Sequence, residues 1–298
     1  MHFSFKLPLP RGYSLADAIH FHGRDKEAVS EVVSETGLRK GILLDGLPAV
    51  FDIQVSKTEA VCTVAVDGTV TDGMQTPAVE IVRGLLGLRL DPRGFSTFVA
   101  ADPVFGPLTK KQKSLRIVQS ASVFEALTWA VMGQQINVSF AVTLRRTFIQ
   151  LAGQRHSSGL WCYPSAADAA RLPVEELLSR QYSRSKAETV LRLATLVASG
   201  ELDIVESPTN TVESICAALL AVKGIGPWTV NYALLRGYGQ PDCSLHGDVA
   251  VRSAIGKLWG LETRPDILAA EELLKRYSPH RTMAAAHLWA SLSAPKGF

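Results

Sequence analysis

The chain has 298 residues, 47% of them hydrophobic and 20% charged, which is ample apolar material for two or three globular domains. No apolar stretch approaches the length needed to span a bilayer. The four cysteines, Cys62, Cys162, Cys216 and Cys243, are too scattered for a CxxC or Cys/His zinc pattern or a disulfide framework. Net charge is only +3, yet residues 1–108 carry 10 Lys/Arg against 13 Asp/Glu, and residues 109–298 carry 21 against 15. The basic excess of the second part fits a polyanionic partner.

The first hundred residues read mostly as strands. Phe3, Phe5 and Leu7 alternate with polar residues and give no continuous apolar core for a signal peptide, so a cytoplasmic protein with free thiols is expected. Runs Val50–Val55 and Ala60–Val66 are rich in β-formers, the second ending in an Asp67-Gly68 turn. Residues 77–86 read as a helix entered through Thr76 and Pro77. Asp91-Pro-Arg-Gly94 and the stretch from Asp102-Pro103 to Pro107 read as loops leading away from this block.

Beyond about residue 120 the periodicity is helical. Ser122 is an N-cap candidate with Glu125 at capping-box spacing. The helix it opens breaks at Gly133-Gln-Gln-Ile-Asn137, and a second runs to about Leu151. Further helices are expected at about 166–171, 174–180, 184–199, 212–222, 227–236, 247–259, 266–277 and 280–292. The expected architecture is an α+β domain over 1–108, a small antiparallel sheet with helices. An all-helical domain over 109–298 follows, with a helical hairpin at about 212–237.

That hairpin carries the chemistry. An apolar helix (Ile215, Leu219, Leu220, Val222) stops at Gly224-Ile225-Gly226, and a new one starts at Pro227, suited to a first turn because its missing N–H would be unpaired there. The glycines permit close backbone approach, and the new helix presents unpaired N–H groups at its positive end, a ready phosphate site. A tight turn between two packed helices would explain the glycines alone. Asp248 follows Trp228 by 20 residues, in Leu245-His-Gly-Asp-Val-Ala-Val251. A lone Asp at a helix start is usually an N-cap.

With these residues in place, the chain resembles the helix–hairpin–helix DNA glycosylase superfamily, and within it the alkylbase group, the 3-methyladenine DNA glycosylases II. Besides 219–237 and Asp248, Gly133-Gln-Gln-Ile-Asn-Val138 resembles that group's Gly-Gln-Gln loop, and Arg281…His287-Leu-Trp289 its last helix. The likeness covers about 110–292.

The resemblance implies a monofunctional glycosylase that flips an alkylated purine, 3-methyladenine or 7-methylguanine, out of duplex DNA and hydrolyses its N-glycosidic bond. The product would be an abasic site for base excision repair. Asp248 is then the catalytic carboxylate, because bond cleavage builds positive charge on the deoxyribose. Trp228 stands where the lyase branch has a lysine, so no Schiff-base strand cleavage is expected. Trp228, Tyr232 and Trp289 would form a base pocket whose rings attract a cationic base.

Gly224, Gly226, Thr229, Ser183 and Lys186 are expected at the DNA backbone. Gln134 and Gln135 are expected at the wedge, where some members have leucine; the same pair also reads as a polar helix-end loop. His246 is expected to touch DNA or pack locally, with a general-acid role as its other reading. The clusters Lys110-Lys111-Lys113 and Arg145-Arg146 are further phosphate candidates. No cofactor and no side-chain metal site are expected, though the resemblance allows a structural monovalent cation on hairpin carbonyls. The expected partner is double-stranded DNA bearing alkylated bases, met by a monomer at the nucleoid. Two alternatives stay open: a same-fold glycosylase for oxidised or deaminated bases, and a non-catalytic DNA-binding hairpin.

Overall fold

A computed structural model describes residues 1–293. The first part is built on strands β1 (His2–Pro8), β2 (Glu31–Val33), β3 (Gly37–Leu44), β4 (Leu47–Val55) and β5 (Glu59–Val66). The spatial order is β1-β5-β4-β3, with β2 pairing β3. β3 and β4 are joined by Asp45 and Gly46, both at positive φ (54° and 76°), the two-residue turn that suits the twist of a hairpin. Helix α1 (Ala16–His22) precedes β2, and α2 (Gln75–Leu85) covers the sheet through Ala78, Val82 and Leu85, all fully buried.

Two segments differ from the sequence expectation. Asp91-Pro92 and Asp102-Pro103 open helices α3 (Pro92–Phe98) and α4 (Phe105–Lys111) rather than loops. Asp91 caps α3 by accepting from the Arg93 N–H at 3.0 Å, and Asp102 accepts from Val104 and Phe105 at 2.9 and 2.8 Å. Asp91-Pro92 is an N-cap with its first-turn residue, whereas Asp102 lies two residues before the α4 cap, Val104, and turns the chain into that helix. The division expected at residue 108 falls inside α4, whose Phe105 and Leu108 pack with the C-terminal helices.

The helical body comprises α5 (Val123–Gly133), α6 (Val138–Ala152), α7 (Ala166–Ala170), α8 (Val174–Leu178), α9 (Arg184–Ser199), α10 (Val212–Ala221) and α11 (Pro227–Ala233). A π-turn over Leu234–Tyr238 leads to α12 (Val249–Leu258), α13 (Ile267–Lys275) and α14 (Arg281–Ser293). Between α6 and α7 the chain returns to the sheet as β6 (Gln154–Arg155) and β7 (Trp161–Cys162). β7 runs parallel to β3 at Gly41↔Cys162, so the sheet is mixed rather than purely antiparallel. A Cβ at Gly41 would lie 2.1 Å from the Trp161 carbonyl oxygen, so this junction needs glycine.

A buried ion cluster also joins the two parts. Lys40 of β3, with no exposed surface, donates to Glu31 of β2 and, at 2.9 Å, to Glu125 of α5. Arg145 of α6 reaches the same two carboxylates at 3.0 and 2.7 Å. His22 lies 3.0 Å from Glu31, and burial pulls the His22 imidazole below its ordinary range, so it enters the cluster neutral. Arg146 pairs with Asp25 at 3.0 Å and with Glu27. The Arg145-Arg146 pair, expected at phosphates, is thus spent on holding the domains together.

Candidate active site

The hairpin joins α10 to α11. Val222 and Ile225 (7% and 5% exposed) anchor it in the helical core. Its two glycines have different physical roles. Gly224 has φ +96°, and a Cβ there would stand 2.1 Å from Thr189 Oγ1, so the fold itself requires it. Gly226, the N-cap of α11, has φ −113° and nothing within 4 Å of its ideal Cβ position. The fold leaves that space open.

Gln134 Nε2 donates to the Gly224 carbonyl at 3.1 Å and to the Thr229 hydroxyl at 3.0 Å, tying the end of α5 to the hairpin. Thr229 is buried beneath that contact. The Lys186 ammonium donates to the Gln134 carbonyl, closing the α5 terminus, and burial lowers its pKa. Ser183 caps α9 by accepting from the Lys186 N–H at 3.3 Å. Of the Gln pair, Gln135 is the one left exposed, with φ +56° at the helix break.

Asp248 is the N-cap of α12, its Oδ1 accepting from the Val251 N–H at 2.9 Å. It is also clamped by two indoles. Trp228 Nε1 donates to Oδ2 at 2.8 Å, and Trp289 Nε1 to Oδ1 at 3.0 Å. Bonds to a charged acceptor are the strong ones, so three fixed donors hold one carboxylate orientation. Tyr232 sits between the indoles, its ring centroid 5.5 Å from Trp228 and 6.4 Å from Trp289. The structure therefore brings Trp228, Tyr232, Trp289 and Asp248 together. His246 lies apart from that clamp, 3.0 Å from the Ser244 hydroxyl.

These groups line a cleft of about 1600 Å³ running between the hairpin, the Gln134-Gln135 break, α12 and α14. Its far wall comes from the first domain, through Phe21 and Arg24 around the end of α1, and includes Arg236 of the π-turn. Sequence reading missed all three. Arg236 lies over Trp289, 5.6 Å from the ring centroid, and over Phe21 at 4.7 Å. Burial pulls its guanidinium down to about 10, which the Tyr232 hydroxyl opposes and Arg24 reinforces. A fixed cation therefore already occupies one side of Trp289, so that ring has less attraction left for a second. A π-turn in a helix leading to a cleft was the one local signal available, and only in structure.

The fold and the site define a helix–hairpin–helix protein with an aromatic cleft and a tethered carboxylate. The HhH-GPD superfamily base excision DNA repair protein family matches residues 128–280, just over half the chain, and the chain belongs to that family. It is 33% identical to the protein YfjP of Bacillus subtilis (strain 168) over 178 residues, 59% of this chain and 61% of that one. It is 29% identical to the DNA-3-methyladenine glycosylase of the same organism over 217 residues, 72% of each chain. The match thus spans less than two thirds of YfjP and somewhat more of the second relative. Among solved structures, the 3-methyladenine DNA-glycosylase from Archaeoglobus fulgidus superposes with a TM-score of 0.80 at 22% identity, covering 96% of this chain and 97% of that one.

Proposed function

We propose that this protein is a monofunctional DNA glycosylase that hydrolyses the N-glycosidic bond of alkylated purines in duplex DNA. The observation that carries this reading is the Asp248 carboxylate, held by the Trp228 and Trp289 indoles in the wall of an aromatic cleft beside the hairpin. A module that only held DNA would gain nothing from a carboxylate there, and would lose affinity through repulsion of the backbone.

In the proposed reaction, Gly226 and the first N–H groups of α11 receive a backbone phosphate without reading sequence. The target nucleotide swings out of the stack, at a cost of a few kcal/mol, with Gln135 filling the gap it leaves. Thr229 and Lys186 act behind this surface, through Gln134, rather than on the phosphate itself. The base enters among Trp228, Tyr232 and Trp289, 3-methyladenine and 7-methylguanine being the expected lesions. As the bond breaks, Asp248 faces the positive charge growing on the deoxyribose and orients the attacking water. The indole donors keep the carboxylate in place without reorganisation. The Trp228 side chain offers no amine, which supports hydrolysis without a covalent sugar intermediate. A monomer working at the nucleoid is part of the same reading; no helix among the described residues is long and apolar enough to cross a membrane.

The test is base release from methylated duplex DNA, with strand integrity followed separately. Free 3-methyladenine, with strands nicked only after alkali, is the expected result. Release of base with immediate strand scission would contradict hydrolysis. Release only from oxidised or deaminated DNA would overturn the substrate class.

A further inference from the structure

The glycosylase reading gives Asp248 the sugar side of the breaking bond and leaves the base side without a partner. The cleft holds a group placed for that task. Arg236 enters at the π-turn, and its guanidinium lies between Phe21 and Trp289, at 4.7 and 5.6 Å from their centroids. One Nη donates to the Val118 carbonyl, Nε is buried with no acceptor, and the Tyr232 hydroxyl stands beside the guanidinium. No carboxylate stands within ion-pairing distance of it among the described residues. Asp17, whose field does reach it, has Oδ2 engaged by the Arg116 N–H at 2.8 Å.

An apolar side chain would fill the space between two aromatic rings without the desolvation that a buried guanidinium suffers. A charge retained at such a place in the cleft wall, with no carboxylate paired to it, is set up to act on charge that develops on a ligand. Trp289 connects the two ends of the site, donating to Asp248 while its ring carries Arg236.

We propose that Arg236 is a catalytic residue that takes up the charge delivered to the departing base, so that Asp248 and Arg236 bracket the charge separation along the glycosidic bond. This rests on the glycosylase reading and extends it to the leaving group. The C1′–N bond breaks with its electron pair going to the base, and a water oxygen forms the new bond to C1′ and sheds one proton. A cationic alkylpurine leaves neutral and the proton passes to solvent. A neutral purine leaves as an anion and that proton, or one from solvent, neutralises it. In both cases the base becomes one unit more negative, and a fixed cation favours the transition state over the bound substrate. A neutral base is the poorer leaving group, so more charge has reached it at the transition state and more help from Arg236 is needed. A cationic base, by contrast, is repelled by Arg236 before the reaction.

The experiment is single-turnover release of 7-methylguanine, a cationic base in DNA, and hypoxanthine, a neutral one, by wild type, Arg236→Met and Arg236→Lys. Arg236→Met is expected to slow hypoxanthine release about 100-fold and 7-methylguanine release by less than about 10-fold, with 7-methylguanine DNA bound more tightly. Arg236→Lys should recover part of the hypoxanthine rate. Equal losses for both bases would make Arg236 a packing residue and overturn the proposal, as would a wild type that releases 7-methylguanine but no hypoxanthine. Should Arg236→Met fail to fold, Arg236→Lys decides on the same comparison. Release of neither base by wild type would overturn the glycosylase reading itself, and this proposal with it.

Discussion

Replacing Lys40 by Met tests how much the buried ion cluster stabilises the junction between the sheet and the helical body. Lys40 is fully buried and donates to both Glu31 and Glu125. With His22 neutral, two carboxylates are balanced by Lys40 and Arg145. Met keeps the length of the stem and removes one cation, leaving Arg145 to serve two buried carboxylates. Stranding a buried charge in this way costs about 3–5 kcal/mol. At about 2 °C per kcal/mol for a chain of this size, the melting temperature should fall by about 6–10 °C.

The pH dependence has a definite sign. In the wild type the cations beside Glu31 and Glu125 outweigh burial and hold both carboxyls below the ordinary glutamate range. Their contribution is therefore fully present above the unfolded glutamate value, about 4.3, and is lost as pH falls through the depressed folded values. In Lys40→Met the two carboxylates share Arg145 alone, so the pKa of the pair rises and protonation of one carboxyl relieves the strain. The difference between wild type and variant should shrink from pH 7.5 to pH 5. Urea unfolding at pH 7.5, 6 and 5 checks this. A difference below about 1 kcal/mol at pH 7.5, or one that does not change with pH, would refute the reasoning.

The two hairpin glycines should separate folding from binding. Gly224→Ala meets Thr189 Oγ1 at a positive φ and should destabilise by about 1–3 kcal/mol in chemical denaturation. Gly226→Ala has open space around the new methyl and should unfold within about 1 kcal/mol of wild type, yet bind duplex DNA more weakly by fluorescence anisotropy. Trp289→Phe keeps a ring but removes the donor to Asp248 Oδ1, a charge-assisted bond worth about 1.5–3 kcal/mol, and should slow single-turnover base release about 10-fold or more. An unchanged rate would mean that Trp228 and Val251 suffice to hold the carboxylate.

Much of the helical body was legible because its signals are local. Ser122, Ser183 and the Gly226-Pro227 start each cap a helix where the pattern places one. Spacing puts Trp228 and Tyr232 on one helix face, and the resemblance to the glycosylase family is what joined Asp248 and Trp289 to them as one site. What was missed depends on partners far along the chain. Glu125 has capping-box spacing, but its carboxylate bonds the Ala121 N–H at 3.0 Å and enters an ion cluster with Lys40, 85 residues away. Arg145 and Arg146 look like a basic patch until the acids of residues 25–31 fold against them. Lys186 is expected at the DNA backbone by resemblance, yet its ammonium donates to a helix-end carbonyl. Phe21 and Arg24 carry no motif, and only the docking of α1 on the helical body makes them walls of the cleft.

The central claim is that Asp248 performs chemistry and does not merely cap α12. The most direct measurement is single-turnover release of 3-methyladenine by wild type and Asp248→Asn, with DNA affinity measured on the same samples. With its carbonyl at the Oδ1 position, Asn still accepts from Val251 and Trp289, so the cap is retained, while its NH2 stands opposite the Trp228 donor. The account predicts a rate reduced at least about 100-fold with affinity equal to or above that of wild type. Activity retained in Asp248→Asn, or activity and affinity falling together, would contradict it.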